Sequence, residues 1–265
     1  MPGTLAPLVR SLQKLHDSLL SSSGITRIVR SLPSFENIGK SLERMERELP
    51  EAALSMWSHG WYFDWAMAVQ DSLRVKSLIE EGKVAEADGL LQAYWRKKLP
   101  AIESELGRLY PDRARFISLT RSSHERGDYA LTVPFLLIQA DGFCHDVAGA
   151  SVFIGKVDKR KMRLQTADWA EKTAGANTLM NAVLKPFVEK TPIAFSQGER
   201  APDFDSLNRH KVLHGESTDF DTEMNSLKAW SFLYYVGSSL KYEEYEKLNK
   251  SEPGIRVFDL TDSPL

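Results

Sequence analysis

Cysteine is almost absent: Cys144 is the only one in 265 residues. An intrachain disulfide is therefore impossible, and so is a thiolate metal cage built by one chain. This usage fits a reducing, cytoplasmic setting. An excess of one charge is missing too. The formal net charge is −2, so no global basic field draws in nucleic acid, and any such contact must rest on local patches. Long apolar runs are missing. The first twenty residues are interrupted by Arg10, Gln13, Lys14 and His16, which argues against a signal peptide, and no stretch approaches a membrane span. Strand-hairpin signals are scarce, and internal repeats and low-complexity tracts are lacking. There is no G-x-S-x-G, no phosphate-binding P-loop, no G-x-G-x-x-G and no H-E-x-x-H, which sets aside the serine-hydrolase, P-loop, dinucleotide-binding and zincin readings.

What remains is helical spacing. Leu5, Leu8, Leu12, Leu15 and Leu19 recur on one face, predicting an amphipathic helix that packs on the body or a partner rather than on a membrane. Ile38, Leu42, Met45 and Leu49 repeat the pattern, as do Phe63, Met67, Leu73 and Leu78 before Gly82. A further helix is expected to stop near Pro100, another to run from Pro111 to about Gly127, and the apolar stretch 129–155 to form a buried helix containing Pro134. The stretch 166–190 reads as one helix, and the last long helix carries Met224, Leu227, Trp230 and Leu233 or Tyr234. The expected fold class is all-α, a helical bundle with additional N-terminal helices. Residues 1–50 read as a helical arm, 51–250 as a helical body with a motif-bearing bundle at about 110–245, and 251–265 as a tail.

One stretch concentrates chemistry. "SLNRHKVLHG", residues 206–215, holds Arg209 and two of the six histidines, His210 and His214. On a helix the histidines lie one turn apart on one face, with Arg209 at its border, and Gly215 frees the chain to turn. Arginine offers a permanently charged planar fork for phosphate oxygens. Histidine titrates near neutrality and moves protons. Asp205 or Ser206 is the expected cap. A zinc site on the two histidines would need a third ligand, from Glu216, Asp219 or a distant histidine. A polar helix end without any site remains an alternative reading of the same residues.

Arg209, a polar neighbour and His214 resemble the R-x4–6-H signature of the HEPN superfamily. The stretch "NRHKVLHGESTDFDTEMNSLKAWSFLYYV" is similar to the end of bacterial HEPN-like proteins with an R-H-x-x-x-H-G pattern, and "HGWYFDW" and "LLIQADGF" resemble segments of those proteins. The resemblance covers roughly residues 50–240. It implies a bundle of HEPN type and a two-fold homodimer whose paired motifs share one cleft. It also implies metal-independent RNA cleavage without a cofactor, often in toxin or antiphage roles, with any antitoxin or regulator a separate chain. Carried over, Arg209 would hold the scissile phosphate, His214 would be the acid/base group and His210 would orient the site. Some members are inactive binding modules, which is the alternative function; a helical interaction protein with incidental histidines is a third.

Around this motif, Asn208 and Lys211 are candidate substrate contacts, together with Lys159, Arg160 and Lys161 from the basic run 155–163, which reads as a loop or helix start. Asp141 and Glu216 are candidates to position a histidine from behind. His145, four residues after Asp141, reads as its local helix partner. The aromatics of residues 58–65 read as core rather than as a base-stacking platform.

Overall fold

The chain was analysed as a computed structural model, in which residues 35–158 and 161–251 are described. It separates into two units, Met1–Leu49 and Pro50–Leu265. The arm helix around Leu5–Leu19, the loop residues Lys159 and Arg160, and the tail after Pro253 lie outside the described residues.

Helices dominate. α1 (Phe35–Ser58), α2 (Val69–Glu80), α3 (Val84–Leu109), α4 (Ala114–Glu125) and α5 (Tyr129–Ala148) come first. A hairpin follows, β1 (Gly155–Asp158) with β2 (Lys161–Leu164), paired antiparallel from Gly155↔Leu164 to Asp158↔Lys161. Short α6 (Ala167–Ala174), α7 (Thr178–Val183) and α8 (Arg209–Leu213) lead to α9 (Glu223–Leu240) and α10 (Tyr242–Ser251).

α9 is the axis of the bundle. Every residue from Ala229 to Leu240 is buried, as expected of a helix that is apolar all round. It packs against α5 and α3. Close approach explains Gly237: a Cβ there would press on Leu106 of α3 and lie 3.0 Å from the Phe143 ring of α5. Several polar atoms that enter this core are paired, although the indole nitrogens of Trp95 and Trp230 are not. Tyr110 Oη donates to the Gly237 carbonyl at 2.9 Å, and Tyr235 Oη donates to the Val183 carbonyl at 2.6 Å. Asp64 accepts from both Lys98 and Tyr94, all three buried, and Tyr234 donates to Glu105.

Several sequence expectations needed correction. Pro100 does not stop α3, which runs through it to Leu109. The missing amide costs about 3 kcal/mol, but Leu99, Ile102, Leu106 and Leu109 are all buried beyond or beside it, each contributing about 1.5–3 kcal/mol. Phe63 and Met67 are core residues but not helical ones. Asp64 turns the chain there, its Oδ1 accepting from Ala66 N at 2.9 Å and its carbonyl from Met67 N at 3.1 Å, so a local side-chain bond outcompetes the helix. The apolar stretch 129–155 ends its helix at Ala148, where Gly149 takes φ +63°. The stretch 166–190 is broken at Gly175 and restarted by Asn177, whose side chain accepts from Met180 N. The basic run is a hairpin, not a loop or helix start. Its strands are too short for an alternation signal; the ladder continues one step through Gln165 N to Ile154 O, and Leu164 N donates to Val188 O outside the hairpin. The aromatics Trp61, Tyr62 and Phe63 are buried, so the core reading of residues 58–65 stands.

Candidate functional site

α8 is only five residues long, yet both its ends are built. Asn208 is the N-cap, its Oδ1 accepting from Lys211 N at 3.1 Å. The C-terminus closes as a Schellman motif: Glu216 N donates to Lys211 O at 2.9 Å, Gly215 N to Val212 O at 3.3 Å, and Gly215 takes φ +71°. Asp205 and Ser206 are not the cap. Asn208 also donates through Nδ2 to the carbonyls of Pro192 and Phe195, at 2.7 and 2.9 Å, and is 1% exposed. Its amide is spent on holding α8 to the turn Pro192–Ala194, which corrects its assignment as a substrate contact.

Arg209 and Leu213, one turn apart, face α5 across a cleft of about 280 Å³. α5 contributes Leu137, Ile138, Asp141, Gly142 and His145; Arg113 and Phe153 complete the lining. The two arginines differ sharply. Arg113 is fully engaged: Nε and Nη2 donate to the Asp146 carboxylate at 2.7 and 3.0 Å, and Nη1 donates to Gln139 Oε1 at 3.0 Å. That pairing holds the Asp146 carboxyl below its usual range. Gly142 makes the arrangement possible, because a Cβ there would collide with the Arg113 guanidinium. Arg209 has no hydrogen-bond or ion-pair partner among the described residues. Its Nε is buried without an acceptor, and its guanidinium sits 5.4 Å from the Phe153 ring centroid. An unpaired donor away from water is costly, and this one belongs to a cation that lines the cleft.

The structure brings Asp141 to the cleft with Arg209, but not the two motif histidines. His210 and His214 stack on a neighbouring side of α8, ring centroids 5.4 Å apart and planes 25° apart. Burial holds the His210 imidazole below the usual histidine range, reinforced by Arg209, His214, Lys190 and Arg200. The same cause, burial first and the neighbouring cations after it, disfavours the charged form of this ring. Lys211 points elsewhere, to a recess of about 40 Å³ with Asp205, Ser217 and Asp219. Glu216 accepts from Arg200 at 2.7 Å, which holds its carboxyl below the usual range, and His214 and His210 act on it through space without a hydrogen bond. Asp219 accepts from Ser217. Among the described residues no group of three or more His, Cys, Asp or Glu side chains gathers to hold a metal ion.

Of the basic run, Lys156 pairs with Asp168 at 2.6 Å and Arg163 with Glu171 at 2.6 Å. These charges tie the hairpin to α6. Lys161 is placed in β2 by its backbone. Sequence reasoning missed Arg113 and Phe153 as lining residues, since nothing in their neighbourhoods links them to residue 209. For His145 the signal existed in its i, i+4 spacing from Asp141. Among the described residues no helix is long and apolar enough to cross a membrane. No protein-family model, no curated protein and no solved structure matches this chain.

Proposed function

We propose that the chain is a metal-independent endoribonuclease of the HEPN kind. Arg209 would bind the phosphodiester, and the stacked pair His210 and His214 would handle protons. The observation that carries this reading is the buried, unpartnered Nε of Arg209 in the cleft, with the stacked His210 and His214 on a neighbouring side of the same short segment. RNA contains its own nucleophile in the 2′-hydroxyl. Its cleavage requires removal of that proton, protonation of the 5′-oxygen and charge balance on the phosphorane. A permanent cation and two imidazoles supply those groups.

One chain separates the cleft of Arg209 from the exposed His214. Two copies about a two-fold axis would bring a second set of groups to the same substrate. What supports pairing is the apolar face of Phe116 and Leu119 on α4 with Leu131 and Ile138 on α5, all exposed. That face reaches the cleft through Ile138. The same separation favours a second reading, a silent module that binds a nucleotide or a partner protein without cutting.

Purified protein incubated with total RNA in EDTA decides between them. The nuclease cuts and leaves 2′,3′-cyclic phosphate ends. His214→Ala lowers the rate by about 10²–10⁴-fold, as expected for loss of a general acid/base. Arg209→Lys also fails, because an ammonium does not reproduce the guanidinium fork. Absence of cleavage by a folded wild-type dimer favours the silent module, and activity lost on chelation and restored by zinc refutes the metal-independent scheme.

A further inference from the structure

The cleft holds more than the motif arginine, and its remaining residues point to a particular kind of occupant. Three of its features are independent. The first is charge. Arg113 is closed off by Asp146 and Gln139, which leaves Arg209 as the lining cation without an acidic partner. The second is the wall: Leu137, Ile138, Leu213 and Phe153 make most of the lining apolar. The third is size. A volume of about 280 Å³ lies near the lower bound, about 300 Å³, of small-molecule pockets. A bare phosphate would satisfy Arg209 and leave the apolar walls wet. A nucleobase or nucleoside would cover the walls and leave the guanidinium unpaired. A single nucleotide answers both.

His145 is the other polar group of this cleft that no hydrogen bond ties to the fold. It is reached from behind by Asp141. The Asp141 carboxylate is anchored through Oδ1, which accepts from Ser151 Oγ at 2.7 Å and from Val152 N at 3.1 Å. Its other oxygen, Oδ2, lies 3.8 Å from His145 Nε2. The His145 side chain is 56% exposed, so it is free to swing onto a bound group. A fixed carboxylate behind an imidazole orients the ring toward a group that arrives in front of it.

We propose that this cleft is a mononucleotide pocket, in which Arg209 and His145 grip the phosphate from α8 and α5, Asp141 positions His145, and the base lies against Phe153 and Leu213. The proposal deepens the ribonuclease reading and rests on it for the choice of RNA as the source of the nucleotide. It assigns the phosphate-facing imidazole of the cleft to His145 rather than to His214.

The test uses the full chain with the four nucleoside 3′-monophosphates as probes, and with inorganic phosphate and the free nucleosides as separate arms. Binding is followed by calorimetry and by NMR of imidazole-labelled histidines, assigned with His145→Gln and His214→Gln. At least one nucleotide is expected to bind about tenfold or more tighter than phosphate or nucleoside, a difference that reports joint use of the cation and the walls. The His145 resonances move on binding, those of His214 do not, and Arg209→Met abolishes the shift while remaining folded by thermal melting. Asp141→Asn, which keeps the shape and removes the charge, weakens binding and reduces the His145 response. Equal binding of phosphate and nucleotide overturns the pocket, as does no binding at millimolar probe, retained binding in Arg209→Met, or a shift at His214 with His145 unmoved. The two readings fail separately. Nucleotide bound with the predicted signature and RNA left uncut removes the nuclease and keeps the pocket. RNA cut by wild type and by His145→Gln at the same rate, with no nucleotide signature, removes the pocket and keeps the nuclease.

Discussion

Arg209→Met is expected to make the protein more stable while destroying its ligand binding. Arg209 Nε is a buried donor with no acceptor, and such an orphan costs about 1–3 kcal/mol. The guanidinium is offset in part by its position 5.4 Å from the Phe153 ring, a contact that contributes about 0.5–1 kcal/mol. Methionine keeps the length and the apolar stem, carries no donor, and packs on Phe153 and Leu213, which already line the cleft. The balance is a gain of about 0.5–2 kcal/mol, or a rise in Tm of about 1–8 °C for a folding unit of this size. Urea unfolding and thermal melting at pH 7.5 measure it. Saturating nucleoside 3′-monophosphate should then raise Tm further in the wild type and not in Arg209→Met, since only a state that binds is stabilised by mass action. A loss of more than about 1 kcal/mol in Arg209→Met would refute the reasoning. It would mean that the guanidinium is held by the fold and is a structural cation rather than one kept for a ligand.

Two further outcomes test the framework of the bundle. Lys98→Met strips the buried Asp64 carboxylate of its cation, and a loss of about 3–5 kcal/mol is expected in urea unfolding; a change under about 1 kcal/mol would refute the pair as a support of the fold. Burial holds the His124 imidazole below the usual histidine range, with Nδ1 2.7 Å from Ser226 Oγ. Its folded state therefore binds fewer protons than its unfolded state. The associated stability is fully present above the unfolded value of about 6.5 and is lost as pH falls through it, levelling off below the folded value. Burial lowers His210 in the same direction. Urea midpoints measured from pH 8 to pH 5 should fall, and His124→Gln should flatten the fall; a rise in stability toward pH 5 would contradict it.

Apolar periodicity alone made the helical class legible, because a 3.6-residue stripe is a local property of the chain. It placed α9 correctly, with Leu227, Trp230, Leu233 and Tyr234 all buried. It also placed Gly82, Gly127 and Gly215 at positive-φ turns, since each helix end is written in the residues next to it. The composition of residues 206–215 likewise marked the right helix. Local signals failed where distant parts of the chain decide. Pro100 is read as a stop by its own chemistry, and only the burial of α3 against α9 carries the helix through it. Asp64 is one polar residue in an aromatic run, and Lys98 and Tyr94, 34 and 30 residues away, close on it. The strands β1 and β2 pair with each other and meet a distant segment where Leu164 N donates to the Val188 carbonyl.

For the site the division is the same. Arg209, His210 and His214 could be chosen from sequence, because charge and titration belong to residue types. Which of them shares a cleft with which could not. Consecutive helical positions diverge by about 100°, so Arg209 turns toward α5 while His210 turns away, and the difference acquires meaning only once α5 is packed alongside. Packing alone put Asp141 and His145 across from Arg209, set Phe153 against its guanidinium, and satisfied Arg113 while leaving Arg209 unpaired. The sequence by itself determined the chemical groups and the helices that carry them. The tertiary structure decided which groups face one another and which charge is left without a partner, because pairing and burial depend on distances between segments that local patterns along the chain do not show.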